Sequence, residues 1–474
     1  MSAHALLIDF GSTYTKLRAV ALDRSRIVGS GQGPSTVTTD VRVGLRAALA
    51  DLETRIGGLP KFKHRLASSS AAGGLRMVTV GLVKELTAEA ARRAALGAGA
   101  KLVGTYAYRL TKGDVAAVVA ATPDILLLCG GTDGGNSEVI LANAEALAAS
   151  PLACPVIVAG NRNTTDDVAD MLTSAGKTAI KTGNVMPEFG TLDIEPARAA
   201  IRQVFMDRIV HAKGIDQASE MFDRVLMPTP AAVLEGARLL SQGTKERGGL
   251  GELLVVDIGG ATTDVHSICK GDPERPDMVL YGLPEPFAKR TVEGDLGMRH
   301  NARTIVETCG AEAIARDTGV AESEIEGLLA PILADVERLP ATDRERAFDR
   351  ALARAAIRQA VRRHAGTVET VYTATGPVAM QRGKDLGRVE TLIGTGGPVV
   401  HAPAPAAILA AALADPAEPG SLRPRAPRLL LDGEYLLYAV GLLAEAEPEA
   451  ALALGLNHMR ECPTERLDGH FSAA

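Results

Sequence analysis

Two stretches of the chain share one pattern of hydrophobic and polar positions. In each, an aliphatic run predicts a buried β-strand, at residues 5–8 and at Leu253–Val256. Each run ends at an aspartate, Asp9 or Asp257, and continues through glycine and hydroxyl-bearing residues into a second apolar strand. A strand, a Gly-rich turn and a return strand bring backbone N–H groups together, which favours contact with a bound anion. For either copy alone, an acidic β-hairpin with a tight turn is the alternative interpretation.

The two copies can be aligned, Asp9 with Asp257 and Gly11 with Gly259. Because internal duplication is a fold-level signal, the pair indicates a duplicated architecture. Asp257 and Asp264 could hold a cation that offsets phosphate charge. For Lys16, a solvated position on the strand is as good an interpretation as a phosphate contact. The predicted anion contacts are Gly11, Ser12, Thr13, Lys16, Gly259, Gly260, Thr262 and Thr263.

A third glycine cluster lies in the last quarter of the chain. An apolar strand that begins at Leu392 runs into Gly394, Gly396 and Gly397, and Pro398 predicts the start of the next turn or helix. Glycines leave the backbone bare, so a flat base or a ribose can lie against it. One such cluster is a weak signal by itself, but its order after the two hairpins strengthens it.

Between the two hairpins the chain alternates between apolar runs and helical segments. This rhythm predicts a small parallel sheet with right-handed crossovers. Upstream, residues 65–83 contain two apolar runs around a Ser/Ala/Gly turn, which favours a β-hairpin over a turn that contacts a ligand. The predicted elements of the parallel sheet are strands at Ile125–Cys129, Val156–Ala159 and Thr178–Lys181 and helices at 137–149 and 164–175.

A Gly-rich loop, Gly130–Asn136, follows the first strand of that parallel sheet. Ligands bind at the carboxyl ends of such strands, and the loop places Asp133 ahead of a predicted helix, a position that suits a nucleotide phosphate or a metal-bound water. Alternatively, Asp133 and Asn136 are turn and capping residues. Because four glycines exceed what a cap needs, the functional interpretation is favoured.

Changes of pattern set the predicted domain limits. Residues 1–123 form a first lobe, 124–250 an inserted or bridging α/β segment that completes it, and 251–474 a second lobe with a helical insertion at about 311–366. Arginines recur every fourth residue from Arg346 to Arg362. That spacing is typical of a solvated helix face, with an acidic partner surface as the alternative. We expect the insertion to be a lid or a partner-binding subdomain.

Composition narrows the function classes. The chain has 474 residues, of which 46% are hydrophobic and 23% charged, and a net charge of −6, which is ordinary for a globular protein of several domains. A basic stripe with interleaved aromatic residues is absent, so nucleic-acid binding is not predicted. No apolar stretch approaches the ~20 residues that span a bilayer, the N-terminus lacks a signal-peptide pattern, and the five cysteines are scattered. We expect a cytoplasmic protein that binds no membrane.

The order of the three glycine-containing motifs resembles that of the actin, sugar-kinase and heat-shock-chaperone ATPase superfamily. Within it, the chain resembles the glutamate mutase accessory protein family (called GlmL or MutL, and unrelated to the mismatch-repair protein) along nearly its whole length. The resemblance implies an α/β fold of duplicated ribonuclease-H-like lobes, the actin-like ATPase fold, with inserted α/β and helical subdomains. The stretches that carry it are Ser69–Met77, Gly130–Gly135, Gly183–Glu188, Pro228–Glu235, Asp257–His266 and Thr291–Met298.

The resemblance also implies a chemistry. Two lobes would close over Mg-ATP, with Asp9 and Asp257 ordering Mg²⁺ and its waters, the hairpins holding the phosphates, and the third glycine cluster receiving the adenosine. Asp133 is the candidate for orienting the attacking water. Hydrolysis would switch lobe closure and remodel the subunits of an adenosylcobalamin-dependent mutase, so that damaged cobalamin can exchange. Cobalamin itself is not expected to bind to this chain.

Three other functions stay open. A small-molecule kinase of the same fold would need a carboxylate base beside an acceptor pocket, and no segment clearly provides one. A hydantoinase- or oxoprolinase-type enzyme has a hairpin similar to Asp257–Asp264, but that family is usually larger and Thr291–Met298 fits it poorly. A nucleotide-gated scaffold would bind ATP without hydrolysing it. The helical insertion is the predicted contact with the mutase, and a homodimer is compatible with the sequence.

Overall fold

The strands and helices of the chain alternate in the computed structural model, which describes residues 3–11, 14–36, 40–69, 75–212, 221–374 and 376–462. The strands are β1 His4–Phe10, β2 Tyr14–Ala21, β3 Arg26–Pro34, β4 Phe62–Ser69, β5 Arg76–Gly81, β6 Lys101–Ala107, β7 Ile125–Leu128, β8 Val156–Val158, β9 Ala179–Lys181, β10 Arg224–Pro228, β11 Leu253–Ile258, β12 Thr263–Ile268, β13 Met278–Tyr281, β14 Ala288–Glu293, β15 Thr367–Thr373, β16 Gly376–Arg382, β17 Thr391–Thr395, β18 Arg428–Leu431 and β19 Arg460–Glu461.

The helices connect these strands and form the region between β14 and β15. Within the described ranges, none of them combines the length and the apolar character needed to cross a membrane. They are α1 Val41–Ile56, α2 Glu89–Gly97, α3 Lys112–Ala120, α4 Glu138–Ala148, α5 Thr165–Ser174, α6 Glu195–Ala212, α7 Thr229–Gln242, α8 Ala302–Cys309, α9 Ala311–Thr318, α10 Ile325–Ala334, α11 Asp343–His364, α12 Gly397–Val400, α13 Pro405–Leu409, α14 Leu437–Leu443 and α15 Pro448–His458.

Two of the four sheets repeat one strand order. The first lobe has the order β3-β2-β1-β4-β10, and the second lobe has β14-β12-β11-β17-β18, extended by β19. In both, the first two pairs of neighbouring strands are antiparallel and the next two are parallel. This is the ribonuclease-H-like order. The predicted fold class is therefore confirmed, with β1–β2 and β11–β12 as equivalent hairpins.

Alternate residues of the central strands pack into different cores because successive side chains of a strand point to opposite faces. In β11, Leu254 and Val256 lie in the core of the second lobe and its helical insertion, whereas Leu253 and Val255 lie in a core shared by the two lobes. In β1, Leu7 reaches the same shared core. Helices α7 and α14 complete this shared core, so the two lobes are joined by one apolar layer.

The chain between β4 and β10 forms a third, fully parallel sheet of order β6-β5-β7-β8-β9. The predicted strands and helices between residues 125 and 181 are found, and no end is shifted by more than one residue. The hairpin prediction for residues 65–83 is wrong, because β4 pairs in the first-lobe sheet and β5 starts the inserted sheet. The limit after residue 123 stays a prediction; strands of the inserted sheet lie on both sides of it.

The helical insertion packs beneath the second-lobe sheet. Helix α11 begins at a capping box in which Thr342 accepts from Glu345 N–H, and its apolar face enters the core of the second lobe. A small sheet of order β13-β16-β15 is formed by one strand that precedes the insertion in sequence and two that follow it, and β13 is one of its edge strands. The second lobe therefore has two accessory parts, one helical and one made of strands.

Two buried histidines in the second lobe predict acid sensitivity. Burial lowers the pKa of His266 to about 3 and places that of His364 well below its usual range. Unfolded histidine titrates near pH ~6.5, so between pH ~6.5 and ~3 the unfolded chain binds more protons and the free energy of unfolding falls with acid. In urea titrations at several pH values, we expect the free energy of unfolding of His266→Leu to fall less steeply with acid than that of the original protein. An unchanged pH slope in that variant would contradict the assignment.

Candidate functional site

A cavity of about 350 Å³ lies between the two lobes. Asp9 and Lys16 of the first hairpin line one side, and Asp257 and Gly259 of the second hairpin line the other. Asp9 is the last residue but one of β1, and Asp257 the last but one of β11. Equivalent strands of the two sheets therefore bring together the two aspartates that the sequence pairs.

Hydroxyl groups from two other elements hold Asp9. Thr229, the first residue of α7, donates to Asp9 Oδ1 at 2.6 Å, and Ser68 of β4 donates at 3.4 Å. Burial raises the pKa of Asp9, while these hydroxyl donors and the charge of Lys16 favour the carboxylate. A cation in the cavity would stabilise the charged form further.

The surroundings of Asp257 fit a metal ion. Burial, with the charges of Asp264 and Asp432 added, raises the pKa of Asp257 to about 7. Carboxylates gathered in a poorly solvated space repel one another unless a cation compensates them. Mg²⁺ is commonly bound by one or two carboxylates together with substrate phosphates. Among the described residues, no three His, Cys, Asp or Glu side chains form a metal-binding group by themselves.

Hydrogen bonds give the residues of the second hairpin different tasks. Gly259 N–H donates to Thr262 O at 2.9 Å and closes the turn. Thr263 Oγ1 donates to Leu296 O at 2.7 Å inside the lobe, and Thr262 Oγ1 donates to Asp264 at 3.1 Å. Among the described residues, Gly260 N–H has no backbone acceptor. Of this hairpin's predicted phosphate contacts, Gly260 N–H is the free donor, and the contact at Thr263 gains no support from its position.

The first hairpin closes in the same way. Gly11 N–H donates to Tyr14 O at 3.0 Å, the counterpart of the bond within the second turn. Lys16 of β2 lines the cavity, with its Nζ 5.5 Å from the centre of the Tyr435 ring. Its side chain is therefore positioned at the cavity where the phosphate contact is predicted. The predicted contacts Ser12 and Thr13 lie outside the described residues.

An ion pair fixes Asp264 and joins the second hairpin to the inserted sheet. Arg290 donates to Asp264 Oδ1 from Nη2 at 2.6 Å and from Nε at 2.9 Å. The same guanidinium donates from Nη1 to Leu96 O at 3.1 Å, at the end of α2. Asp264 therefore pins the hairpin to the inserted sheet, and its predicted contact with a cation stays a prediction.

Replacing Arg290 should be costly. The side chains of Arg290 and Asp264 are 5% and 16% exposed, so Arg290→Leu would leave a largely buried carboxylate unpaired. We expect the free energy of unfolding in urea to fall by about 3–5 kcal/mol. Arg275→Leu is the matched control, because Arg275 and Asp277 form a pair that is 59% and 69% exposed, and exposed ion pairs contribute little to stability. Similar values for both variants would contradict a structural role for the buried pair.

The third glycine cluster spans the end of β17 and the start of α12. A Cβ atom at Gly396, where φ is +96°, would lie 2.1 Å from Ile258 O, so only glycine lets this turn lie against β11. Gly397 faces open space, with Tyr435 Oη the nearest atom at 3.9 Å. Gly394 is buried within β17 and packs against Leu409. The cavity is thus lined by Gly396 and Gly397 and not by Gly394.

A second cavity of about 590 Å³ continues beyond Gly397, which lines both cavities. Gly260, His300 and His401 line it, together with Leu339 of the segment between α10 and α11. Two cavities that meet at a glycine match the two parts of a nucleotide. The polar one beside the aspartates suits phosphates, and the larger one suits a base and a ribose.

Several lining residues are absent from the sequence predictions: Arg18, Thr229, Asp432, Tyr435 and Tyr438. Asp432 accepts from Leu436 and Leu437 N–H at 2.8 and 3.1 Å, so its carboxylate caps the segment that leads into α14. Tyr435 has a left-handed backbone with φ of 55°, a strained conformation that commonly occurs at functional sites. An aspartate three residues before a tyrosine gives no recognisable signal in a sequence.

Asp133 does not line the cavity that Asp9 and Asp257 share. Its Oδ1 accepts from Arg162 N–H at 3.0 Å and from the Asn184 amide at 2.9 Å. The carboxylate thus ties together the loops after β7, β8 and β9. Its predicted role in orienting water stays a prediction.

The duplicated sheets and the polar cavity between them define the actin-like ATPase fold class. The chain belongs to the MutL protein family, whose model matches residues 5–459. A curated relative, Protein MutL of Clostridium tetanomorphum, is 46% identical over 450 residues, which are 95% of this chain and 97% of the relative. The family predicted from the motifs is confirmed.

Solved structures of low sequence identity are also similar. A nucleotide-free acetone carboxylase is 15% identical with a TM-score of 0.41, covering 94% of this chain and 70% of that one. Xylulose kinase of Bifidobacterium adolescentis is 14% identical with a TM-score of 0.33, covering 99% and 96%.

Proposed function

We propose that this protein binds and hydrolyses Mg-ATP and acts in the cytoplasm as a reactivating factor for an adenosylcobalamin-dependent mutase, glutamate mutase or a related aminomutase. The observation that supports the nucleotide site is the meeting of Asp9 and Asp257, from equivalent strands, in one cavity. That cavity continues past Gly397 into a space large enough for a nucleoside. The mutase as partner rests on the family.

In this proposal the two aspartates order the metal ion and its waters, which supply charge neutralisation for the phosphates when bound. Lys16 lines the cavity that contains the two aspartates. Gly260 lines the adjoining second cavity, and its N–H donates to a phosphate oxygen that reaches that cavity. Catalysis of this kind is mainly positioning and charge stabilisation. The base and ribose occupy the second cavity, against the bare backbone of Gly397.

Nucleotide binding and partner binding would be coupled through the two lobes. Phosphates held by both hairpins favour a closed arrangement of the first and second lobes. A mutase that prefers one arrangement must then alter nucleotide affinity by the same factor as the nucleotide alters affinity for the mutase. Remodelling follows if hydrolysis switches between arrangements that bind the mutase differently.

ATP turnover by the purified protein, with and without inactivated glutamate mutase, tests this function. We expect turnover that rises when the inactivated mutase is added, and renewed mutase activity when free adenosylcobalamin is present. ATP binding without turnover would favour the nucleotide-gated scaffold instead. Turnover that requires a small acceptor, with a phosphorylated product, would favour the kinase.

The geometry gives the kinase little support. It needs a carboxylate free to take a proton from an acceptor. The additional acid in the cavity, Asp432, accepts backbone N–H groups with both oxygens. A hydantoinase- or oxoprolinase-type reaction has no further observation in its favour.

A further inference from the structure

We propose that an acidic, extended segment of the mutase binds as an added strand along the outer edge of β6, in a groove between the inserted sheet and the second lobe. This inference rests on the proposed function, because the partner is the mutase. We call this surface the basic groove. It comprises two cavities, of about 370 and 690 Å³, which share Arg92 as a lining residue.

The backbone along one bank of the groove is available for pairing. Strand β6 is the end strand of its sheet and pairs only with β5 among the described residues. Lys101 and Leu102 line the smaller cavity, and residues 105–108 line the larger one. An edge strand presents a row of N–H and C=O groups that an extended peptide can pair with. The two cavities therefore border the two ends of β6.

Charge selects the occupant. Lysine and arginine side chains outnumber glutamates along both cavities, in a chain whose net charge is −6. Lys84 and Lys101 are exposed, and within the described ranges neither has an ion-pair partner. A strand added beside them would gain most if it carried Asp or Glu. The same charge disfavours a second copy of this chain that would pair β6 with β6.

Aromatic side chains lie at one end of the groove. Tyr108 and Tyr281 are 58% and 54% exposed and line the larger cavity from opposite banks. The guanidinium of Arg382 lies 4.0 Å from the centre of the Tyr281 ring. Tyr108 has φ of 67°, a costly conformation for a residue with a side chain. Exposed tyrosines of this kind provide anchor contacts for a partner side chain.

The two banks belong to different halves of the molecule. One consists of β6 and α2 of the inserted sheet, and the other of β13, β14 and the end of β16. The ion pair between Arg93 and Glu285, at 3.0 Å, and the contact of Arg290 with Leu96 O join them. Arg290 also holds Asp264 of the second hairpin. Lobe closure around a nucleotide would therefore act on the same arginine that sets the distance between the two banks of the groove.

Hydrogen–deuterium exchange of the full chain with purified glutamate mutase tests the site. We expect protection of amides in Lys101–Ala107 when the mutase is added, to an extent that differs between ADP and a non-hydrolysable ATP analogue. The double variant Lys84→Glu/Lys101→Glu should weaken mutase binding by about tenfold or more, with basal ATP turnover unchanged. Lys61→Glu/Lys245→Glu makes the same change of charge at exposed positions elsewhere and should bind normally.

Three outcomes overturn the proposal. Binding with protection confined to the helical insertion at 311–366 would place the mutase there and leave the proposed function intact. Protection of β6 that depends on the concentration of this chain alone would identify a second copy as the occupant. If no complex forms in any nucleotide state, the mutase assignment fails together with the groove, and ATP turnover in the same samples reports separately on the nucleotide site.

Discussion

Asp257→Asn is expected to reduce ATP turnover at least about a hundredfold, the loss that follows when one preorganised electrostatic group is removed from an active site. The substitution keeps the shape of the side chain and removes the charge that would hold Mg²⁺ in the cavity. Because Asp257 lies among Asp264 and Asp432, the neutral amide also relieves repulsion. We therefore expect the nucleotide-free variant to be at least as stable as the original protein.

The measurement is phosphate release at saturating Mg-ATP, with thermal unfolding of the same samples. Asp272→Asn is the control. Asp272 is exposed and lies outside the cavity, so the substitution makes the same chemical change away from the site. Full turnover by Asp257→Asn would show that the hairpin is not the metal side of the site.

Asp133→Asn answers a separate question. A comparable loss of ATP turnover would confirm the water-orienting role predicted from the sequence, and a small loss would leave that carboxylate as a tie between loops.

Local patterns are sufficient to predict the elements that contribute the proposed phosphate side of the site. An aliphatic run that ends in aspartate and glycine specifies a strand and its turn within about ten residues, and β1 and β11 appear where the pattern put them. The pairing of Asp9 with Asp257 followed from duplication, because equivalent positions of two similar sheets meet when the lobes face each other. Glycines near 396 were also visible as a cluster.

Long-range pairing was not visible in the same way. Residues 65–83 show two apolar runs and a turn, yet β4 and β5 belong to different sheets. Nothing in a strand's own sequence states which edge it joins. Asp432 is a similar case: its N–H donates to Gly394 O at 2.9 Å, so it enters the site only because β18 pairs with β17. The task of Thr263 likewise depends on Leu296, which is distant in sequence.

Gly441→Ala is expected to disrupt the packing of α7 against α14, which joins the two lobes. Helices α7 and α14 cross in the shared core, and a Cβ atom at Gly441 would lie 1.8 Å from Ala232 O. Gly236 meets Leu437 O in the same way at 2.2 Å. Backbone atoms cannot move aside as a flexible side chain can, so the helices must separate.

Separation of the two helices should lower both the free energy of unfolding and the affinity for Mg-ATP. Overpacking of a core costs about 1–3 kcal/mol, occasionally more, and we expect the upper part of that range or beyond for Gly441→Ala in urea unfolding. Because α7 begins at Thr229, which donates to Asp9, a displaced α7 should also weaken Mg-ATP binding. Gly327→Ala is the control, since Gly327 also lies within a helix, α10, and an added Cβ atom there has no neighbour within 4 Å. If Gly441→Ala unfolds and binds ATP like that control, the crossing of α7 and α14 is not the rigid joint that transmits lobe closure.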